Sequence, residues 1–307
     1  MITNDTSARS IQALIEAIFV ETDPARVVVG DKAYESFTPA GSPGLVHWLY
    51  SVLHTGHLTT APPAHNRDAD YESRIRSLVD DPWMSASVEP QVGALPEGTV
   101  QLGRVRVLAP LDAHDDGRHT VRLPCFRPNL TPGFFMFVHD EGESRRQGPS
   151  LRRHYLGADD PDAALDLWAA AVTELAAANL AFRSKILSRR SSFPRNDALV
   201  FYSGSDTGRV EEQLIDIVRR RGVAESWSWS GTSLLCRPVI GPLHTASDPV
   251  RTGPAEQSYG EHRCAAIADA VNDVIAGRGT FVETLETRLR SAHIDPDDVS
   301  RNLGGGA

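Results

Sequence analysis

Apolar residues recur at helical spacing near the start of the chain. Ile11, Leu14, Ile15, Ile18 and Phe19 predict an amphipathic helix over about residues 7–22. Leu45, Trp48, Leu49 and Leu53 predict a second helix near 43–55, and residues 68–80 read as a third. Residues 59–67, with two prolines, read as loop, and the Pro- and Gly-punctuated stretch 83–98 as a boundary. From Val100 the period becomes two. Val100, Leu102, Val105, Val107 and Leu108 predict one bulged strand or two short ones, with further strands at 120–126, 133–138 and 151–156. Asp160-Pro161 then opens a helix that runs to Asn179, with a capping acid and a proline in the first turn. Strands at 182–187 and 198–202, a helix at 208–221, a strand at 233–240 and helices at 257–276 and 280–292 complete the pattern. The expected fold class is α+β: N-terminal helices followed by a mixed, mainly antiparallel sheet flanked by helices. The expected division is a helical region, 1–90, packed on an α+β region, 91–307.

Composition narrows the function classes. The 307 residues hold 31 Lys and Arg against 40 Asp and Glu, a net charge of −9. Sequence-independent nucleic-acid binding needs a basic surface, so no nucleic-acid partner is expected. No apolar run reaches the roughly 18–20 residues of a membrane span, and no signal-peptide pattern opens the chain, so no membrane partner is expected. Cys125, Cys236 and Cys264 are odd in number and far apart, which fits a reducing, cytoplasmic setting. CxxC, P-loop, HExxH, GxSxG and protein-kinase motifs are absent, and no His/Cys cluster has metal-ligand spacing. A protein working without a cofactor or metal is the expectation.

Lysine is scarce: of the 31 basic residues only Lys32 and Lys185 are lysine. Arginine stays protonated, whereas a lysine can give up its proton and act as a base. Lys185 lies in Phe182-Arg183-Ser184-Lys185-Ile186-Leu187, where strand alternation puts Arg183 and Lys185 on one face and Phe182 and Ile186 on the other. Two such cations make either a solvated face or an anion site, and in the second case each disfavours the other's charge. Arg195 and Asp197 open the next strand, as a loop salt bridge or as part of that site. Upstream, Arg153 shares a face with Tyr155, and Arg152 with His154. Tyr259, His262 and Arg263 begin a late helix, whose free N–H groups suit a phosphate.

Three of these segments, in order, resemble the HopA-type type III effector family: Arg153-His154-Tyr155-Leu156, the run from Asn179 to Tyr202, and Ser258-Tyr259-Gly260-Glu261-His262-Arg263-Cys264. The resemblance covers about residues 100–277, with a looser match through the helix around Trp48–Leu53. The family includes plant-pathogen effectors and proteins of ribosomal-peptide biosynthetic clusters, among them the lyase component of class V lanthipeptide synthetases. In those systems a separate kinase phosphorylates a precursor peptide, the HopA-like lyase eliminates the phosphate, and a separate cyclase adds cysteine across the alkene.

The resemblance therefore implies a carbon–oxygen lyase that converts phosphoserine or phosphothreonine of a precursor peptide into dehydroalanine or dehydrobutyrine. Within that reading Lys185 is the base, His262 or His154 the acid, and Arg183, Arg195, Arg153 and Arg263 the phosphate clamp, since a guanidinium fork matches phosphate oxygens. Tyr155, Asp197 and Tyr259 are the supporting groups. The competing expectations are a non-catalytic phosphopeptide or leader-peptide binder or scaffold, and an effector acting on host phosphoproteins.

Overall fold

The computed structural model describes residues 11–38, 41–57, 67–88, 98–102, 105–113, 119–139, 151–223, 231, 233–250 and 257–304. Parts of four expected segments lie outside them: 7–10 of the first helix, 59–66 of the loop, 89–97 of the boundary, and 103–104 in the strand after Val100.

The α-helices are α1 (Ile11–Ala17), α2 (Leu45–Leu49), α3 (Ala69–Ser77), α4 (Pro161–Ala177), α5 (Thr207–Arg220), α6 (Tyr259–Ile275) and α7 (Phe281–Ser291). α2 continues directly as a π-helix over Tyr50–Thr55. The strands are β1 (Ile18–Thr22), β2 (Ala25–Val29), β3 (Lys32–Tyr34), β4 (Trp83–Val88), β5 (Thr99–Leu102), β6 (Val105–Leu108), β7 (Asp112–Ala113), β8 (His119–Pro124), β9 (Phe126–Thr131), β10 (Phe134–Val138), β11 (Arg152–Ala158), β12 (Phe182–Leu187), β13 (Arg195–Ser203), β14 (Arg237–Ile240) and β15 (Leu243–Ser247). The fold is α+β.

A seven-stranded sheet in the order β14-β15-β11-β13-β12-β10-β9 forms the centre, and every neighbouring pair in it is antiparallel. Alternation along its strands feeds two separate cores. Phe182, Ile186, Leu199 and Phe201 face α4 and α5, where they pack with Trp168 and Leu214. The Trp168 indole N–H donates to Ser184 Oγ at 3.0 Å, so the one polar side chain that β12 sends into this layer is satisfied. Tyr155, Val200, Tyr202 and Ala246 face the other way and pack with Leu49, Leu53, Tyr259 and Ile267 from α2, the π-helix and α6.

The first expected helix ends early. Residues 18–22 are a strand, paired with 25–29 in a hairpin that β3 extends. Ile18 and Val20 are β-branched and lie opposite Val29 and Val27, with Phe19 opposite Val28, and this pairing outweighs the continuing helical spacing. The expected strand at 233–240 is strand only from Arg237. β4, in the stretch read as a boundary, pairs with β8, and β9 and β15 were not expected at all.

Candidate functional site

The strand register assembles the cations. In antiparallel strands directly opposed residues point to the same face. Val138, Arg183, Tyr202, Arg153 and Ala246 form one cross-strand row. Met136, Lys185, Val200, Tyr155 and His244 form the next. Arg183, Lys185 and Arg153 thus rise from one face of the sheet around Tyr202. The guanidinium carbons of Arg153 and Arg183 lie 5.2 and 5.0 Å from the Tyr202 ring centroid, close enough for cation–π attraction. Lys185 hydrogen-bonds Tyr202, and its Nζ rests 3.9 Å from the centroid of the Phe134 ring. Arg183 and Lys185 are half-buried and Tyr202 lies beneath them, 7% exposed.

Two carboxylates fix the border of this cluster. Arg153 is paired with Asp248, which is buried just beyond β15. Arg195 holds Asp197 through two hydrogen bonds, at 2.7 and 2.8 Å, and stacks 5.5 Å from Phe134. Burial alone would raise the Asp197 carboxyl, but the adjacent Arg195 guanidinium holds it well below the usual carboxylate range.

The π-helix supplies the opposite wall. The Tyr50 hydroxyl donates to Asp197 at 3.4 Å. His54 is buried, its carbonyl accepts from Asn196 at 3.1 Å, and its ring meets Tyr155 edge-on at 5.1 Å. Burial pushes the His54 imidazole down to about 3 despite Asp197, so it is neutral. π-helical turns are rare and concentrate at functional sites. This one brings residues 50 and 54 against a strand almost 150 positions later. The register fits only because Gly260 on α6 lacks a side chain; a Cβ there would lie 2.5 Å from Tyr50 Cε2 and 2.6 Å from His54 Cδ2.

The remaining residues expected at the site sit elsewhere. His154 is on the other face, under α5, with Nε2 on Ser203 Oγ at 2.9 Å and Nδ1 3.4 Å from Thr245 Oγ1. Glu211 lies 3.6 Å from its Nδ1 and would favour a charged ring. Burial, with Arg152 and Arg237 nearby, prevails and pushes it down to about 3. The start of α6 is not an open anion cradle. Ser258 and Glu261 close it with a capping box, at 3.3 and 2.8 Å. Arg263 is fully buried. It donates to the carbonyls of Val299 and Arg301, to Asn302 Oδ1 and to His262 Nδ1, and so ties residues 299–302 to α6. That guanidinium is a structural tie and not part of the cation cluster. The contact also engages His262, which burial and Arg263 push down to about 4. Tyr259 donates to the carbonyls of Leu235 and Val299 and packs within the core. Tyr155 remains beside the cluster, stacked on His244 at 5.5 Å.

The sequence reading left out Tyr202, Tyr50, His54, Phe134 and Asp248. A cavity of 480 Å³ lined by Glu16, Val29, Asp31, Ser51 and Leu234 shares no lining residue with the cluster. Among the described residues, no three His, Cys, Asp or Glu side chains gather as metal ligands, and no helix is long and apolar enough to cross a membrane.

Residues 125–301 match the model of the HopA1 effector protein family. The fold resembles that of an effector protein from Pseudomonas syringae pv. syringae strain 61, at 17% identity and TM-score 0.50 over 85% of this chain and 91% of that one. An effector protein from Pseudomonas syringae pv. tomato strain DC3000 aligns at 15% identity and TM-score 0.47, over 84% and 96%. No curated protein matches in sequence.

Proposed function

Since the chain belongs to the HopA1 effector protein family, we propose that its cationic sheet face eliminates phosphate from phosphoserine or phosphothreonine in a peptide. The observation that carries this reading is the placement of Arg183, Lys185 and Arg153 around one buried tyrosine. A phosphate of about −1.5 to −2 charge matches that field, and the guanidinium groups offer paired donors to its oxygens.

In the proposed reaction Lys185, as the free amine, removes the proton from Cα. The electron pair of that C–H bond forms the Cα=Cβ bond. The Cβ–O bond breaks, and its pair leaves with the phosphate. Arg183 meets the anion from β12, while Arg153 and Arg195 reach it with their orientation set by Asp248 and Asp197. The product is dehydroalanine or dehydrobutyrine. A precursor peptide phosphorylated by a separate kinase is the natural substrate in this reading, a separate cyclase consumes the alkene, and the setting is cytoplasmic.

The test is mass spectrometry of a synthetic phosphothreonine peptide and its unphosphorylated twin, with the cognate precursor and kinase in parallel. Loss of phosphoric acid, giving a product that traps a thiol, supports the lyase. Selective retention of the phosphopeptide without mass loss supports a phosphopeptide binder instead.

A further inference from the structure

Eliminating a phosphate moves two protons, one off Cα and one onto the departing oxygen. Lys185 accounts for the first. Neither histidine read from the sequence stands beside it: His154 is under α5, and His262 is engaged by Arg263. Besides the Phe134 ring, which cannot give up a proton, Lys185 meets the side chain of Tyr202. The Tyr202 ring lies between Arg153 on β11 and Arg183 on β12, two of the cations assigned to the phosphate above.

We propose that Tyr202 is the acid of the reaction, its hydroxyl proton passing to the phosphate oxygen that leaves Cβ, and that Lys185 then returns to it the proton taken from Cα. This assignment rests on the lyase reading above. The step balances. Lys185 goes from amine to ammonium as Tyr202 goes from phenol to phenolate. One transfer along their hydrogen bond restores both, and the proton has moved from carbon to phosphate.

The surroundings favour a phenolate at this position. Burial alone would raise the Tyr202 pKa, yet Lys185, then Arg153 and Arg183, bring it below the ordinary value. The charged and titratable groups around it are Lys185 and Arg183 on β12 and Arg153 and Tyr155 on β11, with Asp248 behind Arg153. On the π-helix side His54 meets Tyr155 edge-on and is kept neutral by burial.

Ultraviolet titration of tyrosinate tests the residue without turnover. Of the six tyrosines, one should ionise below about 10 in the wild type and be missing in Tyr202→Phe. Lys185→Met should move that ionisation upward because it removes a positive charge beside the phenol, and saturating inorganic phosphate should do the same because it brings negative charge there. On a phosphothreonine peptide, Tyr202→Phe should lower kcat about 10²-fold with little change in KM. The acid must hold its proton, so the alkaline fall in the wild-type kcat profile should also vanish. No low-titrating tyrosine, or full kcat in Tyr202→Phe, overturns the assignment. A low-titrating, phosphate-responsive Tyr202 in a protein that eliminates phosphate from no peptide overturns the lyase reading, and the acid role with it, while leaving the anion site standing.

Discussion

Arg195 and Asp197 stand two residues apart on β13 and grip each other twice, Nε to Oδ1 at 2.7 Å and Nη2 to Oδ2 at 2.8 Å. The pair is mostly buried, so neither member is dispensable alone. Arg195→Ala strands a carboxylate and should cost about 3 kcal/mol of stability. It should also weaken phosphopeptide binding more than binding of the unphosphorylated twin. The double variant Arg195→Ala/Asp197→Ala should recover part of the stability, a coupling that denaturant titration of the full cycle measures. Additive losses would mean that the two side chains act independently.

Lysine and arginine part ways at position 185. Both carry charge, but only the amine is deprotonated at accessible pH. Lys185→Met and Lys185→Arg should each reduce elimination by about 10²–10⁴, read by mass spectrometry under single turnover. Lys185→Arg should keep phosphopeptide affinity. If Lys185→Arg eliminates phosphate at the wild-type rate, the base lies elsewhere.

The close approach of α6 to the π-helix depends on a missing methyl. Gly260→Ala would push a carbon into the Tyr50 and His54 rings and should lower stability by about 1–3 kcal/mol, seen as a shift in the urea midpoint. Gly208, in the first turn of α5, has nothing within 4 Å of where its Cβ would be. Gly208→Ala should be neutral or add up to about 1 kcal/mol. Equal effects of the two substitutions would count against the packed contact.

Acid should weaken the fold earlier than carboxylates alone would. His54, His154 and His262 are pushed down to about 3, 3 and 4, while unfolded imidazoles titrate near about 6.5. The unfolded chain therefore takes up protons first, and stability is complete above about pH 6.5 and falls as pH drops toward 4. Each fully buried ring contributes at most about 1.4 kcal/mol per pH unit over that range. Asp197, also depressed, adds its loss below about pH 4. Urea midpoints from pH 8 to pH 5 should show the decline, and His154→Asn should flatten it.

Local pattern carried much of this. The alternation of Phe182–Leu187, the Asp160 cap of α4 and the stripes of α6 and α7 are legible because neighbours along the chain decide them. So is the shared face of Arg183 and Lys185. What decides the site is which strands lie side by side. Nothing near Tyr202 in sequence announces that β11 and β12 flank β13, and so its place between Arg153 and Arg183 was hidden. Tyr50 and His54 arrive from a distant helix for the same reason. Arg263 and His262 misled in the opposite sense. A cation at a helix start reads as exposed, but carbonyls some forty residues later surround Arg263 and bury it. At Ile18 the helical spacing simply outran the helix, because its partner strand formed from residues 25–29.

The alternation of β12 has a second consequence, for the fidelity of folding. Its polar and apolar positions face a cationic layer on one side and a dry layer against α4 on the other. A slip of one residue against β10 or β13 would exchange the two faces. Arg183 and Lys185 would be driven among Trp168 and Leu165 with no anion to meet them, and charges without partners there are very costly. Misregistered pairings are thus expelled by the same charges that mark the cationic face, so β12 proofreads its own placement as the sheet assembles.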